Sequence, residues 1–170
     1  LNNINSSKLE LEVVDSKLKI KTEKSENIIQ GIKEGDFPII PKIKTSSFIE
    51  LKTADFKKAL NQVVSAASFT ERRPEINGIL FWLKEKKIKL AATDTFRLAE
   101  KTIKEDGFKT DIDEARVIIP LKTIQEAIRM LEEDKKVKIF IDPHQILFGF
   151  ENAELISRLM FSSFNPSATV

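Results

Sequence analysis

The apolar positions of this chain change period as they run. Leu9, Leu11 and Val13 alternate with polar neighbours, the period of two expected of a half-buried strand. Asp15-Ser16-Lys17 reads as a turn, after which Leu18 and Ile20 resume the alternation. Further on, Phe56, Ala59, Leu60, Val63, Val64 and Ala67 fall at the i, i+3, i+4, i+7 spacing of one helix face. Ile124, Ala127, Ile128 and Leu131 repeat that spacing, which predicts a second amphipathic helix. Strand-like segments follow each helix: Ile79–Leu83 and Ile88–Leu90 after the first, Val137–Ile141 and Ile146–Phe148 after the second.

The two stretches align with each other. Ile49 to Leu60 sits over Val117 to Ile128 at an offset of 68 residues, and Ile79 to Leu83 over Val137 to Ile141 at an offset of 58. The first copy therefore holds ten more residues between its helix and the next strand, centred on the segment from Phe69 to Asn77. Residues 9–37 match the trailing strands of the same unit, at an offset of about 128 from the second copy. Gly35-Asp36-Phe37-Pro38 and Phe164-Asn165-Pro166 close their strand sets in similar places. The expected organisation is a strand-rich segment over 1–44, a linker at 45–47 within the Pro- and Ser/Thr-bearing stretch 38–47, a domain over 48–166 and a short tail at 167–170. The domain would consist of two pseudo-symmetric strand–helix–three-strand halves. Their antiparallel sheets would lie outside and the two helices on the inner face, an α+β layer architecture.

Composition narrows the chemistry. The chain of 170 residues has no cysteine and one histidine, His144, which removes thiolate metal sites, thiol nucleophiles and two-histidine metal motifs. Five glycines form neither a G-x-G-x-x-G run nor a phosphate-cradling loop. No metal, cofactor or catalytic residue is expected. Lys plus Arg number 28 against 26 Asp plus Glu, a formal net charge of +2, so net charge alone advertises neither nucleic acid nor membrane. No apolar run approaches the ~20 residues that span a bilayer. His144, in Asp142-Pro143-His144-Gln145, reads as part of a surface turn. Trp82 reads as core or sheet surface rather than as a stacking platform, and Asp94 with Arg97 as a turn-stabilising ion pair.

Three strings carry a family resemblance: Phe56 to Ser68, Arg73-Pro74-Glu75-Ile76-Asn77-Gly78-Ile79-Leu80, and Leu90-Ala91-Ala92-Thr93-Asp94-Thr95-Phe96-Arg97-Leu98-Ala99. Together they resemble the middle domain of the bacterial sliding clamps, the beta subunits of DNA polymerase III. Val117 to Lys122 and Leu155 to Leu159 are similar to later segments of that family, and Gly35 to Pro38 to the end of its first domain. The resemblance runs from about residue 9 to residue 166.

That resemblance implies the DNA-clamp fold and a non-catalytic accessory subunit of a DNA-directed DNA polymerase, a processivity factor in DNA replication. It would encircle duplex DNA without sequence preference. It would also tether the replicative polymerase, clamp loader and repair proteins through a short peptide with Gln, Leu and Phe anchors. The family closes its ring as a head-to-tail homodimer of three-domain chains in the bacterial cytoplasm, at the nucleoid. This sequence resembles the end of the first domain and the whole of the second, so it is expected to be a fragment with the third domain missing. The implied peptide pocket is Arg73, Ile76, Thr93, Thr95, Phe96, Arg97, Leu98, Pro120 and Ile124. Ile76, Leu98, Pro120 and Ile124 would supply apolar walls, with Thr93 and Arg97 giving hydrogen bonds. The implied DNA-facing residues are Lys57, Lys58, Asn61, Arg72, Arg73, Lys122 and Arg129, touching phosphates without base readout.

One position departs from the family pattern. Thr95 stands where those proteins usually have glycine, and a β-branched residue at a turn needing positive φ is strained unless the turn differs. Two other readings of the chain compete. One is a stand-alone peptide-binding or decoy module that cannot encircle DNA. The other is a small hydrolase using Asp94 with Glu100 or Asp106, which needs a deep cleft and a carboxyl pKa raised by burial.

Overall fold

The computed structural model describes residues 8–36, 43–70 and 72–162. Phe37 to Lys42, Glu71 and Phe164 to Pro166, and with them the expected strand-closing Phe-Pro and Asn-Pro pairs and the first half of the stretch 38–47 that holds the expected linker, lie outside the described residues. The chain divides into two compact units, residues 1–41 and 42–170.

The first unit is a three-stranded antiparallel meander of β1 (Glu10–Val14), β2 (Lys17–Lys21) and β3 (Glu26–Gln30). Asp15 and Ser16 join β1 to β2 with φ of 47° and 62°, the double-positive pattern of a two-residue hairpin turn. The register pairs Leu11 with Ile20 and Leu18 with Ile29, so one face is apolar. The other face pairs Glu10 with Lys21 and Glu12 with Lys19.

The second unit holds the repeat. Its first half is β4 (Ile49–Lys52), α1 (Thr53–Val64), β5 (Gly78–Lys84), β6 (Lys87–Thr93) and β7 (Leu98–Lys104), followed by the short β8 (Phe108–Thr110). The second half is β9 (Ala115–Pro120), α2 (Leu121–Met130), β10 (Lys136–Ile141), β11 (Gln145–Gly149) and β12 (Glu154–Arg158), followed by β13 (Phe161–Ser162). The helix starts, Thr53 and Leu121, keep the offset of 68 residues, and the strand starts, Gly78 and Lys136, the offset of 58.

Each half lends its leading strand to the other half's sheet. The strand orders are β12-β11-β10-β4-β8 and β13-β9-β5-β6-β7, with every pairing antiparallel. Sheet alternation points Ile79, Phe81 and Leu83 of β5 inward with Val117 and Ile119 of β9, all essentially inaccessible. Val137, Ile139 and Ile141 of β10 do the same in the other sheet, with Ile49 and Leu51 of β4. The helices bury Phe56, Ala59, Leu60 and Val63 from α1 and Leu121, Ile124 and Ala127 from α2 into the same core. Phe56 stacks on Phe148 at 6.4 Å between ring centroids, joining a helix of one half to a strand of the other.

The pseudo-twofold relation extends to single hydrogen bonds. The Thr53 amide donates to the Lys135 carbonyl at 3.0 Å, and the equivalent Leu121 amide donates to the Asn77 carbonyl at 3.2 Å. It extends to sheet surface pairs as well. Phe48 packs against Phe140 at 6.2 Å, and at the matching place Arg116 lies over the Trp82 ring at 5.6 Å.

Candidate peptide and nucleic-acid contact sites

The hairpin between β6 and β7 is built by its own side chains. Asp94 Oδ1 accepts the amides of Phe96 at 3.0 Å and Arg97 at 2.8 Å. Its Oδ2 accepts Arg97 Nε at 3.0 Å and Nη2 at 2.8 Å. The Arg97 side chain, with its backbone amide second, holds the Asp94 carboxyl down at about 2. Thr93 Oγ1 donates to the Arg97 carbonyl at 2.7 Å and accepts the Thr95 amide at 3.1 Å. With the turn's polar groups satisfied internally, its apolar side chains point outward: Phe96 is 95% exposed and Leu98 73%.

Thr95 adopts φ 78°. The turn therefore keeps the left-handed conformation that glycine accepts freely, and it places a β-branched residue there.

The sheet register brings several expected pocket residues to one end. Gly78 pairs with Pro120, and Thr93 with Leu98. Continuing the Leu80–Ala91 pairing by two residues sets Gly78 level with Thr93. Pro120, Thr93 and Leu98 thus share a row across four strands, on the face turned away from the core. Ile76, half-buried, ends the short helical turn Pro74–Ile76. Its carbonyl accepts the Ser68 amide at 3.1 Å, and Asn77 Nδ2 donates to the Thr70 carbonyl at 3.2 Å. These bonds fasten the long first-copy loop beside the start of β5. Gly78 permits that junction, because a Cβ there would lie 2.6 Å from the Ile119 carbonyl oxygen.

Two expected site residues take other places. Ile124 is 0% exposed. It occupies a core-facing position of α2 and presents no surface to a ligand in this conformation. Lys57, expected to face DNA, donates from Nζ to the Leu131 carbonyl at 2.8 Å. There it satisfies an orphan carbonyl at the end of α2 and complements the helix dipole. The same contact sets the start of α1 beside the end of α2. Lys58, Asn61, Arg72, Arg73, Lys122 and Arg129 are exposed, with Arg129 held to Glu126 at 2.6 Å.

Two residues outside the expected set belong to this picture. Phe69 is 74% exposed in the long loop, and Asn77 anchors that loop. An aromatic in a polar stretch and an Asn before Gly78 are the only sequence signals for them.

The remaining sequence readings find their places. His144 is exposed in a turn closed by Asp142, whose Oδ1 accepts the His144 and Gln145 amides at 2.8 and 2.7 Å. Trp82 lies half-buried on the outer sheet surface. The hydrolase reading loses the raised carboxyl it needs and one of its two candidate partners. Asp94 is pushed down rather than up, and Glu100 pairs with Lys89 at 3.2 Å. No group of three or more His, Cys, Asp or Glu able to hold a metal occurs among the described residues, and no helix among them is long and apolar enough to cross a membrane.

Comparison with known proteins agrees with this geometry. The chain is 32% identical over 151 residues to the beta sliding clamp of Streptococcus pneumoniae serotype 4, covering 88% of this chain and 39% of that protein. It is 31% identical over 166 residues to the beta sliding clamp of Bacillus subtilis strain 168, covering 95% and 42%. Among solved structures, the DNA polymerase III beta chain from Streptococcus pneumoniae superposes with a TM-score of 0.77 at 29% identity, over 97% of this chain and 44% of that one. The Bacillus subtilis sliding clamp gives 0.75 at 28% identity, over 94% and 42%. The chain therefore spans about two fifths of the length of these relatives. Residues 50–166 match the family model described as the DNA polymerase III beta subunit, central domain, and with that match the chain belongs to the family of the bacterial sliding clamps.

Proposed function

We propose that this chain supplies the central domain, over 48–166, and the trailing strands of the preceding domain, over 1–44, of a processivity factor. The factor encircles duplex DNA as a head-to-tail ring in the bacterial cytoplasm and performs no bond chemistry. The observation that carries the reading is the internal pseudo-twofold, with strands exchanged between halves and two helices packed side by side. Each helix keeps its apolar stripe in the core and turns a polar stripe away from it. On that stripe Lys58, Asn61, Lys122 and Arg129, with Arg72 and Arg73 from the loop, offer a few exposed contacts to phosphates. Few and weak contacts suit a protein that must slide.

The second part of the function is capture of a linear peptide from polymerase and other partners. Ile76, Pro120 and Leu98 would meet its apolar anchors, with Phe96 and Phe69 at the margin. Arg73, Arg97, Thr93 and Thr95 provide the polar surroundings. Tethering of this kind turns each rebinding of the polymerase into an intramolecular event at high effective concentration.

The test is a fluorescence-anisotropy titration of a labelled Gln-Leu-x-Leu-Phe peptide against the wild type and Leu98→Lys. Leu98 is exposed, so the substitution leaves the core intact. Saturable binding that Leu98→Lys weakens at least about tenfold, or roughly 1.4 kcal/mol, supports the site. Equal binding by both proteins removes it.

A further inference from the structure

The outer face of the β13-β9-β5-β6-β7 sheet carries a feature that neither the peptide site nor the helix stripe uses. Lys84 pairs directly with Lys87, and Lys87 with Lys104, placing three lysines in one row across β5, β6 and β7. Like charges directly opposite one another destabilise a sheet, so the row has a cost in the isolated protein. In the next row of the same face, Trp82 stands between Arg116 of β9 and Lys89 of β6. An open cleft of about 320 Å³ lies here, lined by Trp82, Lys84, Glu85, Lys87 and Lys89. The acids of the face are partly engaged: Glu100 pairs with Lys89 at 3.2 Å and Glu114 with Lys84 at 3.7 Å. The indole Nε1–H of Trp82 is buried with no acceptor among the described residues, and buried donors are seldom left so.

We propose that this face binds single-stranded nucleic acid. The strand's phosphates lie along the Lys84–Lys87–Lys104 row, and a base lies against the Arg116–Trp82 stack. Charge complementarity requires a polyanion. The backbone of β5 and β6 is paired on both sides, so a peptide cannot add here as a further strand. What remains is contact through side chains alone: cations spaced at the ~5 Å separation of neighbouring strands, an aromatic ring, and a guanidinium on which a base can stack. The site is on the sheet face opposite the core and the helices, so it is separate from the duplex-facing stripe proposed above.

Trp82 is the chain's one tryptophan, so its emission reports on the cleft directly. The experiment titrates the full chain with an oligothymidylate of about 20 nucleotides at about 50 mM salt, following Trp82 fluorescence. A polyglutamate peptide and a blunt duplex of similar length are run in parallel. The expected result is saturable quenching by the oligothymidylate that weakens with salt, with a log–log slope of about −2 for three phosphates. Lys87→Glu/Lys104→Glu should weaken it at least about tenfold, while Lys109→Glu on β8 of the other sheet leaves it within about twofold. The double variant, which removes the like-charge row, must be at least as stable as the wild type in thermal unfolding. Any of three results overturns the proposal. The first is no change in Trp82 emission. The second is equal affinity of the wild type and Lys87→Glu/Lys104→Glu. The third is tighter binding of polyglutamate or of the duplex. A failed peptide titration at Leu98 leaves these outcomes untouched.

Discussion

Asp94 grips Arg97 at two points, its Oδ2 accepting Nε at 3.0 Å and Nη2 at 2.8 Å. Its other oxygen accepts the amides of Phe96 and Arg97. One carboxylate thus closes the turn and fixes the guanidinium beside the exposed Phe96 and Leu98. The carboxyl's pKa falls from 3.8 to about 2 as a result. A pKa lowered by folding means stability that is present above the unfolded value and lost as pH falls through the folded one. The advantage of wild type over Asp94→Asn should therefore be full above about pH 4 and fade between about 4 and 2. Carbon-detected titration of the Asp94 carboxyl should give a midpoint near 2. Arg97→Ala should return it toward about 3.9. An unmoved midpoint in Arg97→Ala would show that the amides, not the guanidinium, set it.

Thr95, at φ 78°, is the strained member of that turn. A non-glycine residue held in a sparsely populated region costs roughly 1–3 kcal/mol, and glycine's added unfolded-state entropy returns part of any gain. Thr95→Gly should stabilise the protein by about 1 kcal/mol in denaturant unfolding, with m unchanged. A destabilised variant would mean that the Thr95 side chain makes up for its backbone.

Thr53 is 1% exposed. Its Oγ1 donates to the Lys135 carbonyl at 3.0 Å and accepts the Lys135 amide at 3.2 Å. The matching Leu121 has only the backbone bond to Asn77. Thr53→Val keeps the shape, removes both side-chain bonds and leaves the Lys135 amide without its acceptor. The expected loss is about 1–3 kcal/mol, measured by denaturant unfolding. Amide exchange at Lys135 should rise with it.

Gly78 lies where the backbone of β5 leaves no room for a side chain against β9. An added Cβ would meet the Ile119 carbonyl oxygen at 2.6 Å and Ile118 Cγ2 at 2.8 Å. The carbonyl is backbone and cannot rotate aside. Gly78→Ala should destabilise by about 1–3 kcal/mol. Because Gly78 pairs with Pro120, the peptide titration should weaken in the same variant. A variant of wild-type stability and affinity would show that the strands separate without cost.

Much of this was legible in the chain itself. The offsets of 68 and 58 found the two halves because helix and strand periods are local properties, set by side chains a few residues apart. The exchange of β4 and β9 between sheets was not legible. It depends on pairing between residues such as Leu51 and Val137, far apart in sequence and alike in character. The short β8 and β13 carry too few residues for a period to appear. Resemblance named Ile124 and Lys57 as site residues, but burial and hydrogen bonding turned both inward, one to the core and one to the end of α2. Thr95 is the reverse case. Its departure from the family's glycine was visible in sequence, while the sign of φ needed the structure.

The most direct test of the clamp-site account is an amide chemical-shift map of the chain titrated with the Gln-Leu-x-Leu-Phe peptide. The account predicts that shifts concentrate at Ile76 to Gly78, Thr93 to Leu98 and the amides after Pro120. The turn at Glu85 and Lys86, at the opposite end of the β5–β6 pair, should stay still. Shifts centred elsewhere, or none at millimolar peptide, would contradict it.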